Sequence, residues 1–324
     1  MPQFGVIGLG SIGKRHLTNL RTLFPDAQLL AVSASSRAKH NVPANATMVS
    51  LAELLAIQPD FVVVASPASL HLQHTEALLA QGIPALVEKP LCASSLQAEQ
   101  FMQLVERYPA SIIDIGYCLR YLPAAQMVKT LISSQRLGRI YSVIAQVGQY
   151  LPYWRPDSDY RVSVSAQAAL GGGALLELSH ELDYLQWLLG PLQLRYARNR
   201  HSGLLTLDVE DISELVLENE NHTSCFVHLD FIQQTPLRQC SFIAGNARLD
   251  WDLIANTITL QEHNQRHLLY DDAGYDKNNM YLAMLNAFWQ KVQQRDSDTT
   301  NFTAAAATVK LIAQAKQQGA LENL

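Results

Sequence analysis

The chain has 324 residues, 48% of them hydrophobic and 16% charged, which is more than one ordinary core holds and predicts about two domains. Its 24 basic against 29 acidic residues leave a net charge of -5, which disfavours a nucleic-acid or anionic-membrane partner. Cys92, Cys118, Cys225 and Cys240 form no CxxC pair, the first residues show no basic leader, and no apolar run reaches the ~20 residues of a membrane span. No metal centre or disulfide framework is expected, and the expected location is a reducing cytoplasm.

Up to about residue 120, short β-rich runs alternate with amphipathic stretches, the pattern of a parallel sheet wound with helices. "QFGVIGL" reads as a strand, and residues 11–24 space Ile12, Leu17, Leu20 and Leu23 on one helical face. "AQLLAVSA" is a second strand. "SLAELLAI" opens with Ser50 and Glu53 at capping-box spacing, and "FVVVASP" reads as a central strand buried on both faces. A helix from about Ser69 stops at Gly82, "PALVEKP" is the next strand, Ser94 and Gln97 suggest a second capping box before a helix to about Arg107, and "SIIDIGYC" closes the unit.

Beyond residue 120 the runs "RIYSVIAQVGQY", "DISELVLEN", "TSCFVHLDFIQ", "RQCSFIAG" and "ARLDWDLIANTITLQE" predict a mostly antiparallel sheet, with "ENENHT" as a turn. A helix is expected from about Leu175 to Leu189, ended by Gly190 and Pro191, and two more helices near the C-terminus. The reading is an α/β protein: a doubly wound parallel sheet over residues 1–120, then a second α/β domain with a large, mostly antiparallel open sheet over 121–324.

Gly8, Gly10 and Gly13 follow a predicted strand and open a predicted helix, the setting of a dinucleotide-binding turn. Gly8 permits the turn, Gly10 lets backbone approach a pyrophosphate, and Gly13 allows helix to pack on strand. The amides of Ser11, Ile12 and Gly13 at the helix start then face the phosphates. The second strand should end in an acidic residue if the ribose hydroxyls of NAD are held there. "VSASSRAKH" has none, and Ser35, Ser36 and Arg37 suit a 2′-phosphate instead, so NADP is the preferred cofactor and NAD the other.

Ser66, Pro67 and His71 in "ASPASLHLQH" stand just past the carboxyl end of a central strand, where ligands of open α/β sheets collect. Glu88 and Lys89 end the next strand, and Pro90 biases Lys89 toward an extended backbone from which its ammonium can reach the same crevice. There Lys89 can hydrogen-bond a substrate hydroxyl.

"GLGSIGKRH", "ASPASLH", "EKP", "GYCLRYLP" and "GGGALLELSHELDYLQWLLG", in that order, resemble the glucose-fructose oxidoreductase, inositol dehydrogenase and rhizopine-catabolism family. The resemblance implies an N-terminal Rossmann domain and a C-terminal α/β domain whose open sheet makes a homodimer or homotetramer. It also implies hydride transfer between NAD(P) and a sugar, polyol or related carbonyl. On it, Lys89 falls on the family's active-site lysine and His180 on its catalytic histidine. The family commonly has an Asp four residues before that histidine, and here Glu177 stands three before and Asp183 three after. On one continuous helix all three would share a face, so either acid could orient His180 as general acid/base.

"YLPYWRPDSDYR" offers Tyr150, Trp154, Arg155, Tyr160 and Arg161 to stack on a sugar ring and pair with an acidic group, and Arg120 at the domain crossover adds to these. Lys89 and His180 complete the substrate set. The expected ligand is a sugar, sugar acid or nucleotide-sugar derivative. Two alternatives remain: an oxidoreductase that retains its nucleotide and shuttles hydride between two sugars, and a non-catalytic dinucleotide sensor, against which the presence of both Lys89 and His180 argues.

Overall fold

A computed structural model describes residues 1–33 and 42–323. Chain order begins β1 (Gln3–Ile7), α1 (Ser11–Leu23), β2 (Gln28–Val32), β3 (Thr47–Met48), α2 (Leu51–Ile57), β4 (Phe61–Val64), α3 (His71–Leu79), β5 (Ala85–Val87), α4 (Ser95–Arg107) and β6 (Ile113–Ile115). It continues with α5 (Pro123–Ser133), β7 (Ile140–Gly148), α6 (Ala174–Glu177), α7 (His180–Leu189), β8 (Leu192–His201), β9 (Ile212–Asn219) and β10 (Ser224–Asp230). Then follow β11 (Leu237–Ala244), β12 (Arg248–Asp252), β13 (Thr257–Glu262), β14 (Gln265–Asp271), α8 (Asn279–Gln294), α9 (Thr300–Gln318) and β15 (Leu321–Asn323).

Two compact units result, Met1–Cys118 with Lys277–Val309, and Leu119–Asp276 with Lys310–Leu324. The first break falls close to the expected residue 120, but 277–309 returns to the first unit, so the division is not the simple 1–120 and 121–324. The reason is apolar. Phe4 of β1 and Phe61 of β4 lie 4.5 Å apart on one face of the first sheet, and α8 covers them with Trp289 5.3 Å from Phe4 and Phe288 5.3 Å from Phe61. On the opposite face Phe302, Ala305, Ala306 and Val309 of α9 join a core with Ile7, Val62, Val64, Leu78 and Phe101. Without 277–309 both faces would present large aromatic and aliphatic area to water.

The first sheet is parallel, in the order β3-β2-β1-β4-β5-β6, so β1 lies between β2 and β4 and the winding reverses there. All of β4 is buried, as its unbroken "FVVV" requires. Ser50 and Glu53 form the expected capping box of α2. The second is only half a box: Ser94 Oγ accepts the Gln97 N–H, but Gln97 Oε1 takes the amide of Ala93 rather than that of Ser94.

The second unit holds a nine-stranded sheet, β14-β13-β12-β11-β7-β10-β9-β8-β15, antiparallel except at β7-β10 and β8-β15. One face carries buried Cys225, Val227, Phe242, Leu249 and Trp251 beneath α7, where Tyr184 meets Trp251 edge-on at 5.3 Å. The other face is open. "ARLDWDLIANTITLQE" is two strands joined by a tight turn in which Asn256 takes a φ of 57°.

At the first β-α turn Gly8 has a φ of 101°, and a Cβ there would stand 2.4 Å from the carbonyl oxygen of Ala65. A Cβ on Gly13 would stand 1.9 Å from the carbonyl oxygen of Gly8. Gly13→Ala should therefore push α1 off β1 and cost about 1–3 kcal/mol, measured as a lower urea midpoint at unchanged slope. A midpoint equal to the parent's would contradict this packing.

Candidate functional site

In the first unit, three segments meet at the carboxyl end of the parallel sheet, because β1 pairs with β4 (Ile7 beside Val64) and β4 with β5 (Val64 beside Val87). From β1 comes the glycine turn, whose Gly8 amide donates to Val32 O at 2.9 Å. The first helical bond of α1 runs from Lys14 N–H to Gly10 O, so the amides of Ser11, Ile12 and Gly13 have no acceptor within the helix. Among the described residues, no atom lies within 4 Å of where a Cβ on Gly10 would stand. The first turn of α1 carries no acidic side chain. Open space, unpaired amides and the positive end of a helix dipole together suit a pyrophosphate.

From β4 comes Ser66, nearly buried, its Oγ 2.9 Å from Nδ1 of His74. Pro67 opens a short 3-10 turn over Ala68–Leu70 that leads into α3. His71, the first residue of α3, is buried, with Nε2 2.7 Å from Ser66 O and Nδ1 3.1 Å from both Pro90 O and Leu91 O. Burial holds the His71 imidazole below its ordinary value, against the opposing pull of its carbonyl partners and Glu88. Burial lowers His74 as well, with His71 adding to it. Both contributions have the same sign: below the ordinary histidine value of 6.5 the unfolded chain binds protons that the folded unit refuses, so acid weakens this unit.

From β5 come Glu88 and Lys89, followed by a cis peptide at Pro90. Glu88 is buried, with Oε1 2.6 Å from His16 Nε2 and Oε2 accepting the backbone N–H of Lys89 at 3.0 Å. Lys89 is part-exposed.

In the second unit, Gly173, with a φ of 104°, leads into α6, and a Cβ on it would stand 2.4 Å from Glu210 Oε1. Glu210 caps that helix through the amide of Leu175 at 3.2 Å and pairs with Lys316 at 3.4 Å. The expected continuous helix over 175–189 is broken. Leu178 leaves the helical region (φ -97°, ψ 25°) while its amide still bonds Ala174 O, and α7 restarts with His180 as its first residue. Glu177 thus belongs to α6, and the argument that it shares a helical face with His180 fails. Asp183 is buried and bidentate with Arg120, at 2.9 Å to Nε and 2.5 Å to Nη2. Glu181, also buried, is gripped by Arg238 of β11 at 2.7 and 3.0 Å. Two carboxylates in the first turn of α7 favour its dipole, and each has its own guanidinium.

The family described as "Oxidoreductase family, NAD-binding Rossmann fold" matches residues 3–113, and the GFO/IDH/MocA C-terminal domain matches residues 125–247. The chain belongs to the Gfo/Idh/MocA oxidoreductase family. It is 27% identical to the rhizopine catabolism protein MocA of Rhizobium meliloti over 61% of this chain and 61% of that one. It is 29% identical to inositol 2-dehydrogenase 2 of Saccharopolyspora erythraea over 67% of this chain and 63% of that one. These matches thus span about three fifths of each relative's length. Among solved structures it is similar in fold to UDP-N-acetylglucosamine 3-dehydrogenase GnnA of Acidithiobacillus ferrooxidans, with a TM-score of 0.79 at 18% identity over 98% of this chain and 97% of that one.

For this Gfo/Idh/MocA chain the expected residues sort by what they touch. Gly8, Gly10, Ser11, Ile12, Gly13, Ser66, Pro67, His71, Glu88 and Lys89 all lie at one end of one sheet. Ser35, Ser36 and Arg37 lie outside the described residues. Arg120 and Asp183, expected in different roles, engage each other. In the segment expected to meet a substrate, Tyr150 packs on Tyr153 at 4.9 Å, Trp154 packs on Phe231 at 5.3 Å, and the Tyr160 hydroxyl accepts the Thr206 N–H at 3.0 Å. Arg161 pairs with Asp159 two residues away at 2.8 Å, both exposed. Arg155 is exposed and pairs with no carboxylate among the described residues. Sequence reasoning missed His16, His74 and Arg238: the two histidines close the quoted motifs "GLGSIGKRH" and "ASPASLHLQH" but their partners Glu88 and Ser66 are set by the fold, and Arg238 is 57 residues from Glu181.

Asp183→Asn leaves the Arg120 guanidinium buried beside a neutral amide and should cost about 3–5 kcal/mol in urea unfolding, while Arg120→Met with Asp183→Leu should recover most of that loss. Losses that simply add would mean the two groups do not depend on each other.

Proposed function

We propose that this chain is an oxidoreductase that transfers a hydride between a nicotinamide cofactor and a hydroxyl or carbonyl carbon of a sugar, sugar acid or nucleotide-sugar derivative. The observation that carries the reading is the glycine turn at the reversal of the first sheet, with clear space at Gly10 and Lys89 at the exit of β5 in the same sheet. The residues fit a dinucleotide: the amides of Ser11, Ile12 and Gly13 hold the pyrophosphate, and a Cβ at position 10 would occupy open space that a phosphate needs. A bound nicotinamide supplies the hydride acceptor for oxidation and the donor for reduction.

Lys89 and His180 form the proton relay. Lys89 donates a hydrogen bond to the reacting oxygen of the substrate. His180 removes the hydroxyl proton as the carbinol carbon gives up its hydride, and returns it when a carbonyl is reduced. Glu177 and Asp183 are the acids considered for orienting His180. Asp183 shares α7 with His180 and is itself fixed by Arg120, whereas Glu177 stands on α6. Ser35, Ser36 and Arg37 support a preference for NADP over NAD. Arg155, which is exposed and pairs with no carboxylate among the described residues, supports an anionic group on the substrate. The relatives named for inositol and for a nucleotide sugar act on such hydroxyl-bearing compounds, which agrees with this class.

The test is a panel of polyols, sugar acids and nucleotide sugars followed at the nicotinamide absorbance with NADPH/NADP and NADH/NAD. An active substrate is expected with higher kcat/KM for the phosphorylated cofactor, and Lys89→Ala and His180→Ala should each lower kcat by about 100- to 10,000-fold with cofactor binding retained. Full turnover by Lys89→Ala would refute the relay.

The open face of the second sheet supports a homo-oligomer, a dimer or tetramer. Ile144 (41% exposed), Tyr196 (50%) and Phe226 (47%) present an apolar centre flanked by Glu214 and His228. Such a patch on a soluble protein marks a contact surface. Phe226→Glu is expected to convert the oligomer to monomer in sedimentation velocity, and a parent protein that sediments as a monomer would exclude this interface.

A further inference from the structure

The backbone on either side of Lys89 is held by imidazoles from two different helices. On the amino side, His16 of α1 is fully buried and bonds Glu88 Oε1 at 2.6 Å, while the other oxygen of that carboxylate accepts the Lys89 N–H at 3.0 Å. The carboxylate lies over Gly116, where a Cβ would stand 3.0–3.1 Å from all three carboxyl atoms, so a larger residue there would crowd it. On the carboxyl side, His71 of α3 has Nδ1 3.1 Å from the carbonyl oxygens of both Pro90 and Leu91 and Nε2 2.7 Å from Ser66 O; the neutral ring carries a single N–H and donates it to one side, in the Nδ1–H tautomer to the Pro90–Leu91 turn.

These contacts are a poor way to stabilise a core. Two imidazoles and a carboxylate lose their hydration, and His16 Nδ1 is buried with no hydrogen-bond partner, a cost that apolar side chains of the same size would avoid. What the contacts do share is their target. Both converge on the turn that carries Lys89, and His16 stands one helical turn beyond Gly13 on the helix whose first amides await a phosphate.

We propose that His16 and His71 are positioning residues that fix the backbone of Lys89 from both sides and so set the reach of its ammonium toward the reacting oxygen. This rests on Lys89 acting as proposed above. His16 acts through Glu88, which thereby belongs to the frame of the site rather than to the cofactor surface. Misplacing a catalytic group by about 1 Å can cost roughly 100-fold in rate, so the effect belongs in kcat rather than in binding.

The experiment is a double-mutant cycle on the full chain, in each cofactor-loaded enzyme, with His16→Leu, His16→Gln, His71→Leu, His71→Asn and Lys89→Ala. His16→Leu and His71→Leu should lower kcat by about 10- to 100-fold and displace its pH profile, with the cofactor dissociation constant moving less than about threefold. His16→Gln keeps a donor toward Glu88 and should recover kcat to within about threefold of the parent. In the Lys89→Ala background the leucine substitutions should cost nothing further, since their effect passes through the missing ammonium. If Lys89→Ala loses turnover but the histidine effects add to it in full, or if the leucine variants keep the parent kcat and pH profile, the positioning role is wrong and the reading of Lys89 stands. If Lys89→Ala turns over normally, it is the reading of Lys89 that falls, and this inference with it. Should His71→Leu not fold, His71→Asn takes its place, with the same additivity deciding the outcome.

Discussion

A side chain at position 8 would stand 2.4 Å from Ala65 O, and one at position 13 would stand 1.9 Å from Gly8 O. That shortage of room between the exits of β1 and β4 is the constraint on which the first unit turns. It forces glycine at both positions and draws α1 against the sheet, leaving the helix's first amides exposed at the end where β4 and β5 also finish. Because the strands are parallel, their exits share one edge, and Ser66, Glu88 and Lys89 gather there without any of them being near in sequence to the glycine turn. The cluster is thus a by-product of strand direction, and histidines bond the segments that leave β4 and β5.

The second unit solves a different problem. Its broken helix pair puts buried Glu181 and Asp183 within one turn of His180, and carboxylates at such depth are tolerated only with full partners. Arg120 and Arg238 provide them through bidentate contacts, from a turn before α5 and from β11. The start of α7 is consequently tied to two distant parts of its unit, which restricts the rotation and tilt of the helix whose first residue is His180. Neutral side chains would pack there too, but they would not set an orientation.

The sequence made some of this legible and hid the rest for identifiable reasons. "FVVV" could be read as a buried parallel strand because no polar residue interrupts it, and Ser50 with Glu53 marked a helix start because both halves of a capping box are local. The glycine spacing was readable for the same reason. β3 is only Thr47–Met48 and offers no period to detect, and β8 carries so many arginines that its alternation is masked. The break at Leu178 was invisible since "ALLELSHELDYLQWLL" keeps its apolar spacing through it. Arg120 looked like a ligand for an acid and was one, but the acid is Asp183 of the same chain. Partners separated by 57 or 72 residues, as for Arg238 with Glu181 and His16 with Glu88, follow from topology and leave no local trace.

The return of residues 277–309 to the first unit bears on the order of events during synthesis. When the ribosome has released only the first 118 residues, Phe4 and Phe61 lack the cover of Phe288 and Trp289, and Phe101 lacks Phe302. The nascent half-unit holds its strands but not its lids, and its apolar faces wait in water until more than 150 further residues have emerged, a count that follows from the 119–276 span of the other unit. The glycine turn is therefore in place in the chain well before the two helices that cover its sheet.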